Sequence, residues 1–123
     1  MKQLGLALVL TIILGACTKN ADNSQGPVIN VSTPSANQVF SAGQTITVTA
    51  SITHSSQIHE VKIRVRNDGT GDEILEFKTD VNATSYSFSK SFIGQAGIVY
   101  KIEVEASDYA GNETEKEFRV SVN

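Results

Sequence analysis

From Pro27 to Asn123, apolar side chains fall on every second residue in short runs broken by Gly, Asn, Asp and Ser, and no window carries a helical period. Successive residues of a strand point to opposite faces, so a run of period two folds as a strand that is apolar on one side. Ile29 and Val31 form the first such run, stopped by Pro34. Ile46, Val48, Ala50 and Ile52 alternate with Thr and Ser, and Val61, Ile63 and Val65 alternate with Glu60, Lys62, Arg64 and Arg66. Ile74 to Phe77 is a shorter run, followed by Tyr86, Phe88 and Phe92 among serines. Tyr100, Ile102, Val104 and Ala106 alternate with Lys101, Glu103 and Glu105, and Phe118, Val120 and Val122 close the chain. One sheet built from these runs would leave its apolar face wet, so the strands must stack in two layers. The expected fold class is all-β, a sandwich of about seven strands over residues 27–123.

The first 26 residues obey a different pattern. Lys2 precedes an apolar run, Leu4 to Leu14, and the small residues Gly15 and Ala16 stand before Cys17, the only cysteine. A positive start, a short apolar core and small residues at the cut describe a secretory signal peptide over residues 1–16. The run is shorter than the roughly 20 residues a membrane-spanning helix needs. Residues 17–26 are polar after Cys17, have no hydrophobic period and are expected to act as a flexible tether.

Leu14-Gly15-Ala16-Cys17 resembles the lipobox of bacterial lipoproteins. That resemblance implies a diacylglycerol thioether on Cys17, cleavage before it and acylation of the new amine. One acyl chain anchors only marginally, whereas two or three hold a protein on a bilayer. Thr18 rather than Asp follows Cys17, so the resemblance implies an outer-membrane address rather than retention at the inner membrane.

The segments Pro27 to Pro34 with Ile46-Thr47-Val48-Thr49-Ala50, and Tyr100 to Ala106 followed by Asp108-Tyr109-Ala110-Gly111-Asn112, are similar to bacterial Ig-like modules, which occur on secreted polysaccharide-degrading enzymes. The similarity implies an immunoglobulin-like sandwich that works as a spacer, a glycan-proximal module or an adhesin repeat. It also implies a tyrosine corner at Tyr100, whose hydroxyl would bond a nearby backbone group. The absence of Trp and of a cysteine pair separates the chain from antibody-type domains.

No catalytic, nucleotide or cofactor motif is legible, and the expected protein is not an enzyme. Ten basic against 13 acidic residues give a net charge of −3, without a basic run for nucleic acid or anionic lipid. His54, His59 and Glu60 lack zinc spacing, so the histidines read as surface residues of a turn. Asn67, Asp68, Asp72 and Glu73 form the densest group of oxygen ligands and a weak calcium candidate, though the same segment suits a hairpin turn. Lys62, Arg64 and Arg66 are expected to pair across strands with Glu103, Glu105, Glu115 and Glu117. Tyr109 is the one aromatic placed for ligand contact.

The expected function is a lipid-anchored binding or scaffold module of the cell envelope, meeting a protein or a glycan. The alternatives are a purely structural accessory subunit and a calcium-dependent adhesion module. Strand order in such a sandwich also predicts that the tethered end carries Tyr109, with the 67–72 turn and Asn123 pointing away from the membrane.

Overall fold

The computed structural model describes residues 25–123, so the leader, Cys17 and the tether up to residue 24 lie outside the described residues. Among the described residues six strands follow one another without a helix: β1 (Val28–Thr33), β2 (Val39–Phe40), β3 (Thr45–Asn67), β4 (Glu73–Ile93), β5 (Val99–Asp108) and β6 (Glu113–Val122). The seven apolar runs of the sequence are all present. Two pairs of them are fused into the long strands β3 and β4, and the two-residue β2 is added.

β3 and β4 form one antiparallel hairpin that bends from one layer into the other. The first half of β3 pairs Thr45–Thr53 with Ile93–Ser85 of β4, and β1 lies on its other side. The second half pairs with the start of β4 on one side and with β5 on the other, and β6 and then β2 extend that layer. The bend sits where five steps along β3, Thr53 to Ile58, oppose two along β4, Ser85 to Ala83. Extra residues on one strand break its ladder and turn it, as bulges do. A second slip, between Ile58 and Glu60, moves the buried positions from even to odd numbers: Ile46, Val48, Ala50 and Ile52 before it, Val61, Ile63 and Val65 after it.

The core lies between the layers. Ile29, Ile46, Val48, Ile52 and Phe88 from one layer meet Val61, Ile63, Val65, Ile102, Val104 and Val120 from the other, nearly all without solvent exposure. Burying each aliphatic side chain contributes ~1.5–3 kcal/mol. The layers approach closely at Gly94, where an added Cβ would stand 2.9 Å from Val122 Cγ2 and 3.1 Å from Ile46 Cδ1. Tyr100 is buried, meets Phe92 edge-on at 4.9 Å between centroids, and accepts a 3.0 Å hydrogen bond from the Gln95 amide. The tyrosine corner is therefore formed, tying the 94–98 turn to the base of β5.

The two outer faces differ in chemistry. No Asp, Glu, Lys or Arg occurs between Asp22 and Glu60, so β1 and the first half of β3 are uncharged. The outward residues of the first half of β3 are hydroxyls: Thr47 bonds Ser91 at 2.8 Å, and Thr49 bonds Ser89 at 3.2 Å. The other layer carries the charge, at Lys62, Arg64, Glu76, Glu103, Glu105, Glu115 and Glu117.

Candidate functional site

The end of the sandwich where the chain enters gathers the polar residues of greatest interest. β1 starts there, β5 ends there, β6 begins there and β3 bends there. Along β3 the inward positions run Ile46, Val48, Ala50, Ile52 and then His54; along β5 they run Tyr100, Ile102, Val104, Ala106 and then Asp108. The alternation therefore delivers a histidine and a carboxylate to the rim of the core. His54 Nε2 donates to Asp108 Oδ2 at 2.9 Å, with side-chain exposures of 7% and 3%. A carboxylate only accepts, so Nε2 carries the proton.

Asp108 also accepts from the Asn112 amide, the Asn112 side-chain Nδ2 and the Ala110 amide, each at 2.9 Å. The Asn112 side chain first, then its backbone amide, His54 and Ala110, hold the Asp108 carboxyl down to about 2 against the opposing effect of burial. Four donors on one carboxylate close the 108–112 turn and lock it to the bend of β3. Gly111, at φ 87°, supplies the left-handed residue that the turn needs. The reading of His54 as a surface residue of a turn is thus corrected: the alternation continues through it, and Asp108 satisfies it inside the rim.

His59 stacks on Tyr109, with centroids 4.4 Å apart and planes inclined by 26°. The Tyr109 hydroxyl donates to Asn82 Oδ1, and Asn82 adopts a positive φ of 54°. The Tyr109 ring, 59% exposed, is thereby fixed by a neighbour on one face and by a hydrogen bond at its tip, with the other face open. His54 and His59 do not converge on a common ligand point, because one faces Asp108 and the other Tyr109. Beside them, Gln25, Gly26, Val28, Thr53, His54 and Ser55 border a shallow groove of about 360 Å³.

The oxygen-rich segment lies at the opposite end, in the turn between β3 and β4. Asn67 Oδ1 accepts from the Gly69 and Thr70 amides at 2.9 and 3.2 Å. Asp72 Oδ2 accepts from the Thr70 hydroxyl, and Asp68 Oδ2 from Arg119 Nε at 3.0 Å. Glu73 lies 3.5 Å from Arg64. Each of these oxygens faces a donor of the protein, and the four residues face separate partners. Among the described residues, the one carboxylate trio whose ligand atoms lie within 4.8 Å of one another is Glu103, Glu115 and Glu117, on the charged face.

That face departs in part from the expected cross-strand pairing. Arg64 does reach Glu103, at 4.0 Å, but it also meets Glu73 and Glu76, and Lys62 turns to Glu76 at 3.9 Å rather than to Glu105. The strand beyond β3 on the β4 side supplies the nearer acids. Glu105 consequently faces Glu113 and Glu115: a hydrogen bond shared with Glu113, then burial and the charge of Glu113, hold its carboxyl above the ordinary glutamate range. Cys17, the expected lipidation site, lies outside the described residues.

A model of the family described as Bacterial Ig domain matches residues 27–104. No curated protein matches the chain. Among solved structures, it is similar to the fibronectin(III)-like modules of Clostridium thermocellum CbhA, with 21% identity and a TM-score of 0.52, over 77% of this chain and 94% of that one. It is also similar to a superoxide reductase (neelaredoxin) from Ignicoccus hospitalis, with 10% identity and a TM-score of 0.55, over 85% of this chain and 86% of that one. A CARDB domain from Pyrococcus furiosus, solved in complex with di-metal ions, shares 9% identity at a TM-score of 0.48, over 81% of this chain and 97% of that one. These likenesses concern the fold and carry no chemistry across.

Proposed function

Because this chain belongs to the bacterial Ig domain family, we propose that it is an extracytoplasmic lipoprotein whose single Ig-like sandwich is a non-catalytic binding or scaffold module. The module is held on a membrane through Cys17. One observation carries this reading: Leu14-Gly15-Ala16-Cys17, directly after an apolar leader, stands eight residues before Gln25, where the described sandwich begins. Domains of this family are commonly displayed outside the cytoplasm, which agrees with a cleaved leader. Thr18 after the cysteine favours the outer membrane.

The distribution of polar groups supports a contact module. The buried Asp108 of the rim and the acidic groups of the 67–72 turn are engaged by the protein itself, whereas Tyr109 is both exposed and held in place. An aromatic ring fixed before binding loses little freedom when a protein or a glycan packs on it. A ligand contact at Tyr109 and a partner in the envelope are therefore parts of the proposal.

The test is Cys17→Ala in the full-length chain, with detergent phase partitioning of both forms. The unsubstituted protein partitions into the detergent phase and the variant into the aqueous phase. Partitioning of both into detergent with the leader cleaved from the variant would overturn lipidation at Cys17; a variant that keeps the apolar run Leu4 to Leu14 is held by that run instead, and the mass of its N-terminal peptide separates the two outcomes.

A further inference from the structure

We propose that the end of the sandwich bearing Tyr109 rests on the lipid headgroups of the membrane that holds the anchor, so that the 67–72 turn and Asn123 point outward. This inference rests on the lipid-anchored reading above and concerns the surface that meets the bilayer.

The first support is where the chain enters. Gly26 is wedged against β6: a Cβ there would stand 2.5 Å from Thr114 Oγ1 and 3.2 Å from the Glu113 carbonyl carbon. The path from the anchor is thus fixed at the end that carries Tyr109, Asn112 and the bend of β3. Eight steps separate Cys17 from Gln25, and fully extended chain covers at most ~3.6 Å per step, about 29 Å in all. The sandwich is itself about 30 Å long, since the nine steps of β5 from Val99 to Asp108 each rise ~3.3 Å. To set the opposite end on the bilayer, the connecting residues would have to run the whole length of the domain fully drawn out. Setting the entry end on the bilayer asks nothing of them.

The second support is chemistry. The entry end exposes Tyr109 and Val28 together with Ser55, Ser56, Gln57, Asn82 and Thr84. Among the described residues its charges stand at the margin, where Asp80 pairs in register with Glu60, Glu60 meets Lys78 Nζ at 3.1 Å, and Glu113 opens β6, while Asp108 is buried among four donors. A tyrosine, with an apolar ring and a polar tip, suits the headgroup layer. The opposite end holds Asp72 and the ion pairs Asp68–Arg119 and Glu73–Arg64, which are better left in water. It also exposes Val39 and Val99 on either side of Ser121, together with Ile74 and Ile93, apolar residues that this orientation presents to the exterior.

The experiment uses the lipidated full-length chain on phosphatidylethanolamine–phosphatidylglycerol vesicles, with a nitroxide on Ala110→Cys or on Asn123→Cys and a paramagnetic metal chelated to lipid headgroups. Cosedimentation of the protein with the vesicles is scored first. The expected result is cosedimentation with relaxation several-fold faster at position 110 than at 123. Cosedimentation with equal relaxation, or with the order reversed, would overturn the orientation and leave the anchor standing. Failure to cosediment would overturn the anchor, and the orientation with it. Adding Tyr109→Ser should lower the ratio between the two sites without releasing the protein; an unchanged ratio would overturn the part assigned to the ring.

Discussion

Tyr100→Phe removes one oxygen from the corner and leaves the ring in the core. The hydroxyl accepts from the Gln95 amide at 3.0 Å, a neutral hydrogen bond of the kind that contributes ~1 kcal/mol net. Gln95 itself is exposed, so its amide can turn to water once the oxygen is gone, which holds the loss to about that value. The ring, 1% exposed and edge-on to Phe92, stays in place. For a domain of this size ~1 kcal/mol lowers Tm by about 4–8 °C, and with a urea m-value of ~1–2 kcal/mol/M the midpoint falls by roughly 0.5–1 M. The chain has no Trp, so far-UV circular dichroism should follow the unfolding. Tyr100→Ala serves as the scale, since emptying an aromatic site costs ~3–5 kcal/mol. A Phe variant as stable as the parent would refute the corner; one as damaged as the Ala variant would show that the hydroxyl does far more than bond Gln95.

Three further outcomes are expected. The Asp108 carboxyl titrates at about 2 in the fold against ~3.9 in an unfolded chain, so its contribution is complete above about pH 4 and is lost as pH falls toward 2; in Asp108→Ala, Tm at neutral pH drops by several degrees and this acid limb flattens. Glu105 is held above the ordinary range by Glu113, so its ionised form opposes folding, and Glu105→Gln should raise Tm at neutral pH by about 1–2 °C, the gain fading as pH falls and Glu105 takes up its proton. Gly94→Ala places a methyl against Val122 and Ile46 and should cost ~1–3 kcal/mol by overpacking, read as a lower urea midpoint with an unchanged m-value.

The alternation made the strands and nearly the whole core legible, because burial on one face of a strand leaves a period of two in the sequence. What it hid was continuity. His54 to Gln57 read as a turn, since Ser55, Ser56 and Gln57 are polar, yet β3 runs on through them as a bulge and its pairing with β4 resumes at Ile58. The slip beside Ile58 depends on pairing with β4, which local sequence does not specify. β2 is two residues long and is held by backbone pairing to Ser121 and Val122, so no periodic signal could mark it.

The rim pair was there to be found. His54 and Asp108 each stand two residues beyond the last apolar residue on an inward face, and extending the count by one step would have set both at the edge of the core. Lys90 interrupts such a face from within, in step between Phe88 and Phe92, and its ammonium lies 3.8 Å from the Phe77 ring centroid. The partner choices of Lys62 and Arg64 were not legible, because they depend on which of two flanking strands brings an acid nearer. The stacking of His59 on Tyr109 joins residues 50 positions apart, which the register of β5 on β3, Ile58 against Asp108, brings together.

The decisive measurement is the mass of the N-terminal peptide of the protein recovered from membranes. A mature chain that begins at Cys17 and carries a diacylglycerol thioether, with or without an amine-linked acyl chain, is the predicted result. A chain that still begins at Met1, or an unmodified Cys17 on a secreted form, would contradict the lipid-anchored account.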